Sequence, residues 1–245
     1  MNVFQMQCKM EIKRMLRNRY FVFWSLVMPI AFYYIFTNVV NTNAPDPGAW
    51  KAHYLMSMTT FSVMGSSIMS LGIRMVQERT QGWSTFIRMT PLSDHVYFIA
   101  QMAGQSVIHI LSITVIFSFG AIINGVSLTP FEWFMSGLWI LLGSLPFLAI
   151  GTLIGMMKKV DTAAGVSNVL YMVLAVTGGM WMPLEVMPKM MQSFSHWLPS
   201  YHFGNGAWEI VRGKMPDWNN VLILFAYFIV LMLLSKYMRR KQEAV

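Results

Sequence analysis

The chain has 245 residues, of which 56% are hydrophobic and only 11% charged, with a mean hydropathy of +0.50. Soluble domains carry about 25% charged residues, so an integral membrane protein is expected. The net charge of +8 need not signal nucleic acid, because basic excess also marks the cytoplasmic loops of membrane proteins. A lone cysteine, Cys8, excludes an internal disulfide framework and a CxxC metal motif.

At the N-terminus, Phe4, Cys8, Ile12, Met15 and Leu16 share one face at helical spacing, with Lys9, Lys13 and Arg17 roughly opposite. This predicts an amphipathic helix over about 3–18, lying in the inner membrane interface. The plainer reading is a basic cluster that sets topology, and the two are compatible. Apolar stretches long enough to span follow at about 20–40, 54–73, 96–123 and 134–154, then a shorter one at 164–182. The last, extended to its interfacial aromatics Trp218 and Tyr237, makes six. All must be helical, because backbone polar groups in lipid need partners within the segment. The fold class is therefore all-α and polytopic, one membrane domain over 1–245.

Orientation follows from the loops. Lys9, Lys13, Arg14, Arg17, Arg19, Arg74, Arg79, Arg88, Lys158, Lys159, Lys236, Arg239, Arg240 and Lys241 fall on one side. The other side holds only Lys51, Lys189, Arg212 and Lys214. The positive-inside rule puts both termini in the cytoplasm, as an even span number requires.

In the loop after the second span, Trp83, Phe86 and Ile87 stand at i, i+3 and i+4, a short helix with one apolar face that Pro91 ends. Such a helix either docks into a groove of a soluble partner or lies on the membrane surface. Along the third span Gln101, Gln105 and His109 recur every four residues, with Ser112 on the same face. Intramembrane polar groups face a cavity or each other, so this stripe lines a path or protomer interface, or forms an interhelical hydrogen-bond ladder. Ser62, Ser66 and Ser70, and Gly151 with Gly155, offer close helix packing. Pro146 and the Gly178-Gly179 pair mark kinks. Leu184–Leu198 is too short and polar to span and contains Pro188, Lys189, Gln192 and His196.

Chemistry is sparse. Apart from Lys236 at the cytoplasmic end of the last, the spans hold no Asp, Glu, Lys or Arg, which disfavours an ion-driven carrier and a charged-ring channel. Five histidines make no HExxH pair, and Ser66-Ser67 with His109 reads as packing before it reads as a hydrolase. The 24 methionines are dispersed, as flexible core filler is. No catalytic, cofactor-binding or metal-binding residue is assigned. No Gly-x-x-x-x-Gly-Lys-[Ser/Thr] occurs, so this chain has no P-loop for ATP.

Two stretches carry a resemblance. Glu78-Arg79-x-x-Gly82, then Arg88-x-Thr90-Pro91-Leu92, resembles the cytoplasmic loop of ABC-2 type transporter permeases, with Trp83 bulkier than the family's usual residue. Gly178-Gly179-Met180-Trp181-Met182-Pro183, continuing through Pro188 to Trp197-Leu198-Pro199-x-Tyr201, resembles the segment after the family's fifth span. The resemblance implies that Glu78, Arg79, Gly82, Trp83, Phe86, Arg88, Thr90 and Pro91 belong to a coupling helix against an ATP-hydrolysing subunit. It likewise implies that Pro183, Pro188, Trp197, Pro199 and Tyr201 belong to an outer re-entrant segment. The implied partners are two cytoplasmic ATPase subunits, which would hold ATP and Mg, and a second permease copy or a similar permease. Membrane lipid surrounds them in the cell membrane, and no nucleic acid is involved. The implied activity is export of a lipophilic or amphipathic molecule, a drug, an antibiotic or a lipid-linked compound. The alternatives are an ATP-independent carrier or channel and, behind them, an intramembrane enzyme.

Overall fold

The computed structural model describes residues 3–17, 19–40, 46–83, 89 and 94–243. Among them the regular elements are all helical, with no strand. Helix α1 (Val3–Arg17) is followed by α2 (Arg19–Ile35), which runs into a π-turn at Phe36–Val40. Asp46 caps α3 (Pro47–Gly65) by accepting from the Ala49 amide at 3.0 Å, with Pro47 at the first helical position. A second π-turn (Ser66–Ser70) and α4 (Leu71–Thr80) continue α3 as one rod, because the joints at Ser66 and Leu71 stay right-handed.

Helix α5 (Asp94–Ile122) leads to α6 (Pro130–Gly143), which starts in a capping box between Thr129 and Glu132. Helix α6 then breaks at Ser144, and α7 (Leu145–Ile154) resumes with Pro146 in its first turn. The expected kink lies there because proline has no N–H to close the preceding turn. Helix α8 (Val160–Thr177) stops at Gly178, and Gly179 takes φ +76°, which a side chain would resist. So the glycine pair ends this helix. A 3₁₀ turn (Leu184–Val186), α9 (Lys189–Ser195), α10 (Pro199–Val211) and α11 (Trp218–Glu243) complete the chain.

Among the described residues, four helices are long and apolar enough to cross a membrane: Ile99–Ile122, Pro130–Ile154, Val160–Thr177 and Trp218–Met238. Leu26–Val40 is apolar but shorter. The expected span at 54–73 falls outside that set, and its hydroxyls are the reason. Ser57, Thr59, Thr60 and Ser67 dilute its hydropathy, yet each donates to a carbonyl four residues back, at 2.6–3.1 Å. The rod from Pro47 to Thr80 is instead the hub of the bundle, with α2, α5, α7, α8 and α10 packed around it. Leu55, Met56, Met58, Met64 and Ile68 are fully buried on it. Gly151 of α7 rests against the Ser67 carbonyl and Gly155 against Met75, so this glycine pair packs α7 to the hub inside one copy. The outward faces of α8 and α11 stay apolar and exposed, with Val169, Val173, Leu222, Phe225 and Leu233.

Candidate functional site

The rod joins two ends of the bundle. One, the basic end, carries α1, Thr80 and the 155–159 turn. The other, the far end, carries Lys51, Asn124 and α10.

At the basic end a polar cluster closes on Glu78, which is only 6% exposed. Arg14 of α1 donates to one Glu78 oxygen and, at 2.9 Å, to Glu11. The Tyr97 hydroxyl donates to the other Glu78 oxygen, and Gln101 Nε2 donates to it at 2.8 Å. Arg74 donates to Gln101 Oε1 at 2.7 Å. Burial pushes the Glu11 carboxyl above its usual range, and Arg14 opposes that shift. The neighbouring Arg79 points elsewhere and donates to the Met157 carbonyl in the turn between α7 and α8.

Glu78 and Arg79 therefore tie the rod to α1, α5 and the 155–159 turn in this structure. The rod then turns at Gly82, whose φ of +75° favours glycine, and presents Trp83 with 48% of its surface exposed. Phe86, Arg88, Thr90 and Pro91 lie outside the described residues.

The stripe on α5 continues inward. Gln105 Nε2 donates to Ser66 Oγ at 2.5 Å and Ser66 O at 3.3 Å. His109 Nε2 lies 3.2 Å from Ser67 Oγ, and its Nδ1 lies 3.3 Å from Ser144 Oγ. Gln101, Gln105, His109 and Ser112 are all buried within a single copy. This is the geometry of an interhelical ladder.

An open cavity adjoins the rod, and Ser66 borders both it and the ladder. It measures about 320 Å³ and is walled by Met28, Pro29 and Phe32 of α2, by Asn168, Tyr171 and Met172 of α8, and by the rod. The rod contributes Phe61, Ser62, Gly65, Ser66 and Met69. Gly65 makes room for the Tyr171 ring, since a Cβ there would meet it at 2.7 Å. The Tyr171 hydroxyl donates to the Phe61 carbonyl at 3.2 Å, and the two rings stack at 4.7 Å. Phe61 and Phe32 both meet Trp181, at 5.8 and 5.5 Å, so aromatic contacts run on toward the far end.

Of these wall residues the sequence singles out only Ser62 and Ser66, as packing positions, although two signals pointed to the others. Pro29 interrupts the first apolar run, and Asn168 is the one amide inside the fifth. Apolar walls with a few hydroxyls and one amide suit an amphipathic guest.

The far end is capped. Lys51 donates to the Asn124 carbonyl at 3.2 Å, and Asn124 donates to Thr37 at 2.8 Å. Trp208 of α10 stacks on His53 at 4.7 Å and donates to Ser57 Oγ at 2.9 Å. Burial lowers the His53 imidazole to about 4, and the Arg212 charge adds to the shift. Pro183 precedes the 3₁₀ turn, Pro188 caps α9, and buried Pro199 opens α10. Tyr201 sits edge-on to His196 at 4.6 Å. The Trp197 ring is exposed, while its carbonyl accepts from Tyr227 at 2.8 Å. Tyr227 stands about 13 Å along α11 from Trp218, at 1.5 Å per residue, so the α9–α10 corner reaches well down that helix.

The family described as "ABC-2 family transporter protein" matches residues 38–237. Over 245 residues, the whole of both chains, the sequence is 75% identical to "Putative transport permease YvfS" of Bacillus subtilis (strain 168).

Proposed function

This chain belongs to the ABC-2 family of transporter proteins, and from that premise we propose that it is the permease subunit of an ATP-binding cassette exporter. A separate cytoplasmic ATPase drives it, two copies per transporter, each holding ATP and Mg. A second copy of the permease or a similar one completes the assembly in the cell membrane. The chain crosses six times, with both termini and the basic end in the cytoplasm. In this reading α1 lies at the inner interface, and α9 with its flanking turns re-enters from outside.

One observation carries the proposal. A single rod runs from the far-end cap, past the cavity, to the exposed Trp83 at the basic end. Trp83 and Phe86 fill a groove of the ATPase, Arg88 adds a polar contact, and Gly82 with Thr90 and Pro91 shapes the loop. Glu78 and Arg79 work one step behind them, passing the motion to α1 and to the 155–159 turn. ATP shifts the conformation only in so far as the ATPase binds one state of this loop better than the other. The cargo track follows the 320 Å³ cavity rather than the α5 ladder, whose polar atoms face helices. Its uncharged aromatic and methionine walls favour a lipophilic or amphipathic cargo, a drug or antibiotic ahead of a lipid-linked molecule.

The enzyme reading has one observation in its favour, the Ser67–His109 contact at 3.2 Å. Both side chains are fully buried and the Ser67 hydroxyl donates to the Val63 carbonyl, so no substrate reaches a free nucleophile. The deciding experiment is co-purification with the ATPase, followed by Phe86→Asp in reconstituted vesicles. The variant should insert normally and lose stimulated ATP hydrolysis. Unchanged stimulation, or cargo crossing without a nucleotide-hydrolysing companion, would defeat the proposal.

A further inference from the structure

The π-turn at Ser66–Ser70 lies between the cavity and the α5 ladder, and it touches both. On one side Ser66 and Met69 wall the cavity. On the other, Gln105 holds the Ser66 hydroxyl and carbonyl, and His109 holds Ser67. A π-turn carries one residue more than α-helical winding accommodates, and such turns concentrate at functional sites. Sliding the extra residue along a helix rotates only the residues it passes, by about 100° each, and leaves both ends in place. The ends of this rod are anchored: Trp208 holds Ser57 near one, and Arg14 holds Glu78 near the other.

We propose that the Ser66–Ser70 π-turn is a movable register switch, latched by Gln105 and His109, that turns the cavity wall when the basic end is worked by the ATPase. Four features equip it. Gly151 presents only a backbone face to the Ser67 carbonyl, so no side chain interlocks with the turn at that contact. The Gln105 Oε1 atom is buried with no hydrogen-bond partner among the described residues, an acceptor free for a second arrangement. His109 also holds Ser144, where α6 breaks into α7, so the latch ties this π-turn to a second irregular point of the bundle. Both hydroxyls that meet the imidazole have a carbonyl of their own helix in reach, Val63 at 2.7 Å and Leu141 at 2.7 Å. Each therefore releases the ring without being stranded.

The inference rests on the permease reading, and its test separates the two. In a Cys8→Ser background, single cysteines replace Ser62, before the turn, or Met69, within it. Each variant is reconstituted with the ATPase, and maleimide labelling rates are compared with and without a non-hydrolysable ATP analogue. The Met69→Cys rate should change at least about fivefold on nucleotide binding, while the Ser62→Cys rate changes less than about twofold. Adding His109→Ala or Gln105→Ala should remove the difference, and His109→Gln, which keeps one donor and one acceptor, should restore it.

Equal responses at the two positions mean rigid tilting and overturn the switch, as does a Met69 response that survives both latch substitutions. Normal ATP-driven transport with equal responses sinks the switch alone. Failure of the unsubstituted chain to couple to an ATPase sinks the permease reading, and the switch with it.

Discussion

Arg14 and Glu78 meet across 64 residues of sequence, a guanidinium from the N-terminal helix against a carboxylate buried on the central rod. The pair docks α1 onto the bundle and holds the rod where it leaves toward the loop at Trp83. A charge taken out of water this far is tolerated only while its partners stay in place.

Arg14→Ala should therefore destabilise the protein more than a surface charge deletion does, by about 1–3 kcal/mol, since Tyr97 and Gln101 still satisfy the carboxylate. Combining it with Glu78→Gln should recover part of the loss. Thermal unfolding in detergent across the four-member cycle measures the coupling; additivity within about 0.5 kcal/mol would show that the pair contributes nothing.

Gly151 and Gly165 make a matched pair of tests. A Cβ at Gly151 would overlap the Ser67 carbonyl, whereas one at Gly165 meets nothing within 4 Å. Gly151→Ala should cost about 1–3 kcal/mol by forcing α7 off the rod. Gly165→Ala should be neutral or slightly stabilising, because alanine is the better helix former. The ratio of folded to aggregated protein after a heat step reads both.

Filling the cavity should act on transport. Asn168→Trp places an indole in a space of about 320 Å³ and should cut efflux of a lipophilic reporter dye by about tenfold. Val169→Trp, one residue on and at an exposed position that does not line the cavity, should leave efflux within about twofold. Equal effects would mean that the cargo does not pass here.

Acid should loosen the far-end cap. The folded protein holds His53 at about 4 against an ordinary 6.5, so folding favours the neutral ring. That stabilisation is complete above pH 6.5 and is lost as pH falls from 6.5 toward 4, up to about 3 kcal/mol. Melting temperature should drop across that window, and His53→Gln should flatten the profile. A wild-type profile that is already flat would refute the assignment.

Much of this bundle could be read from spacing. Apolar runs give helices, and the breaks at Pro146 and Gly178-Gly179 follow from missing donors and a positive φ. What could not be read depends on remote pairing. Glu78 follows a span and looks like a loop residue, but its burial needs Arg14 of α1 and Tyr97 and Gln101 of α5, which converge from two remote stretches. The α5 stripe was visible as a face. Its partners Ser66, Ser67 and Ser144 were not assignable, since any serine on a neighbouring helix would have served. Helix α10 was hidden behind Pro199, although Phe203, Ala207 and Ile210 repeat at helical intervals and all are buried. The cavity needs three helices at once, and no single-segment periodicity encodes it.

The hydroxyl-rich rod has a consequence for how the newly made protein enters the bilayer. Membrane insertion selects segments by their preference for hydrocarbon, and the stretch around Ser57, Thr59 and Thr60 has a weak one. Its side chains gain shelter once α2, α5 and α10 flank it. On the proposed topology this segment depends on helices made after it, so polar substitutions in α5 should lower the yield of inserted protein, measured as the membrane-integrated fraction after expression.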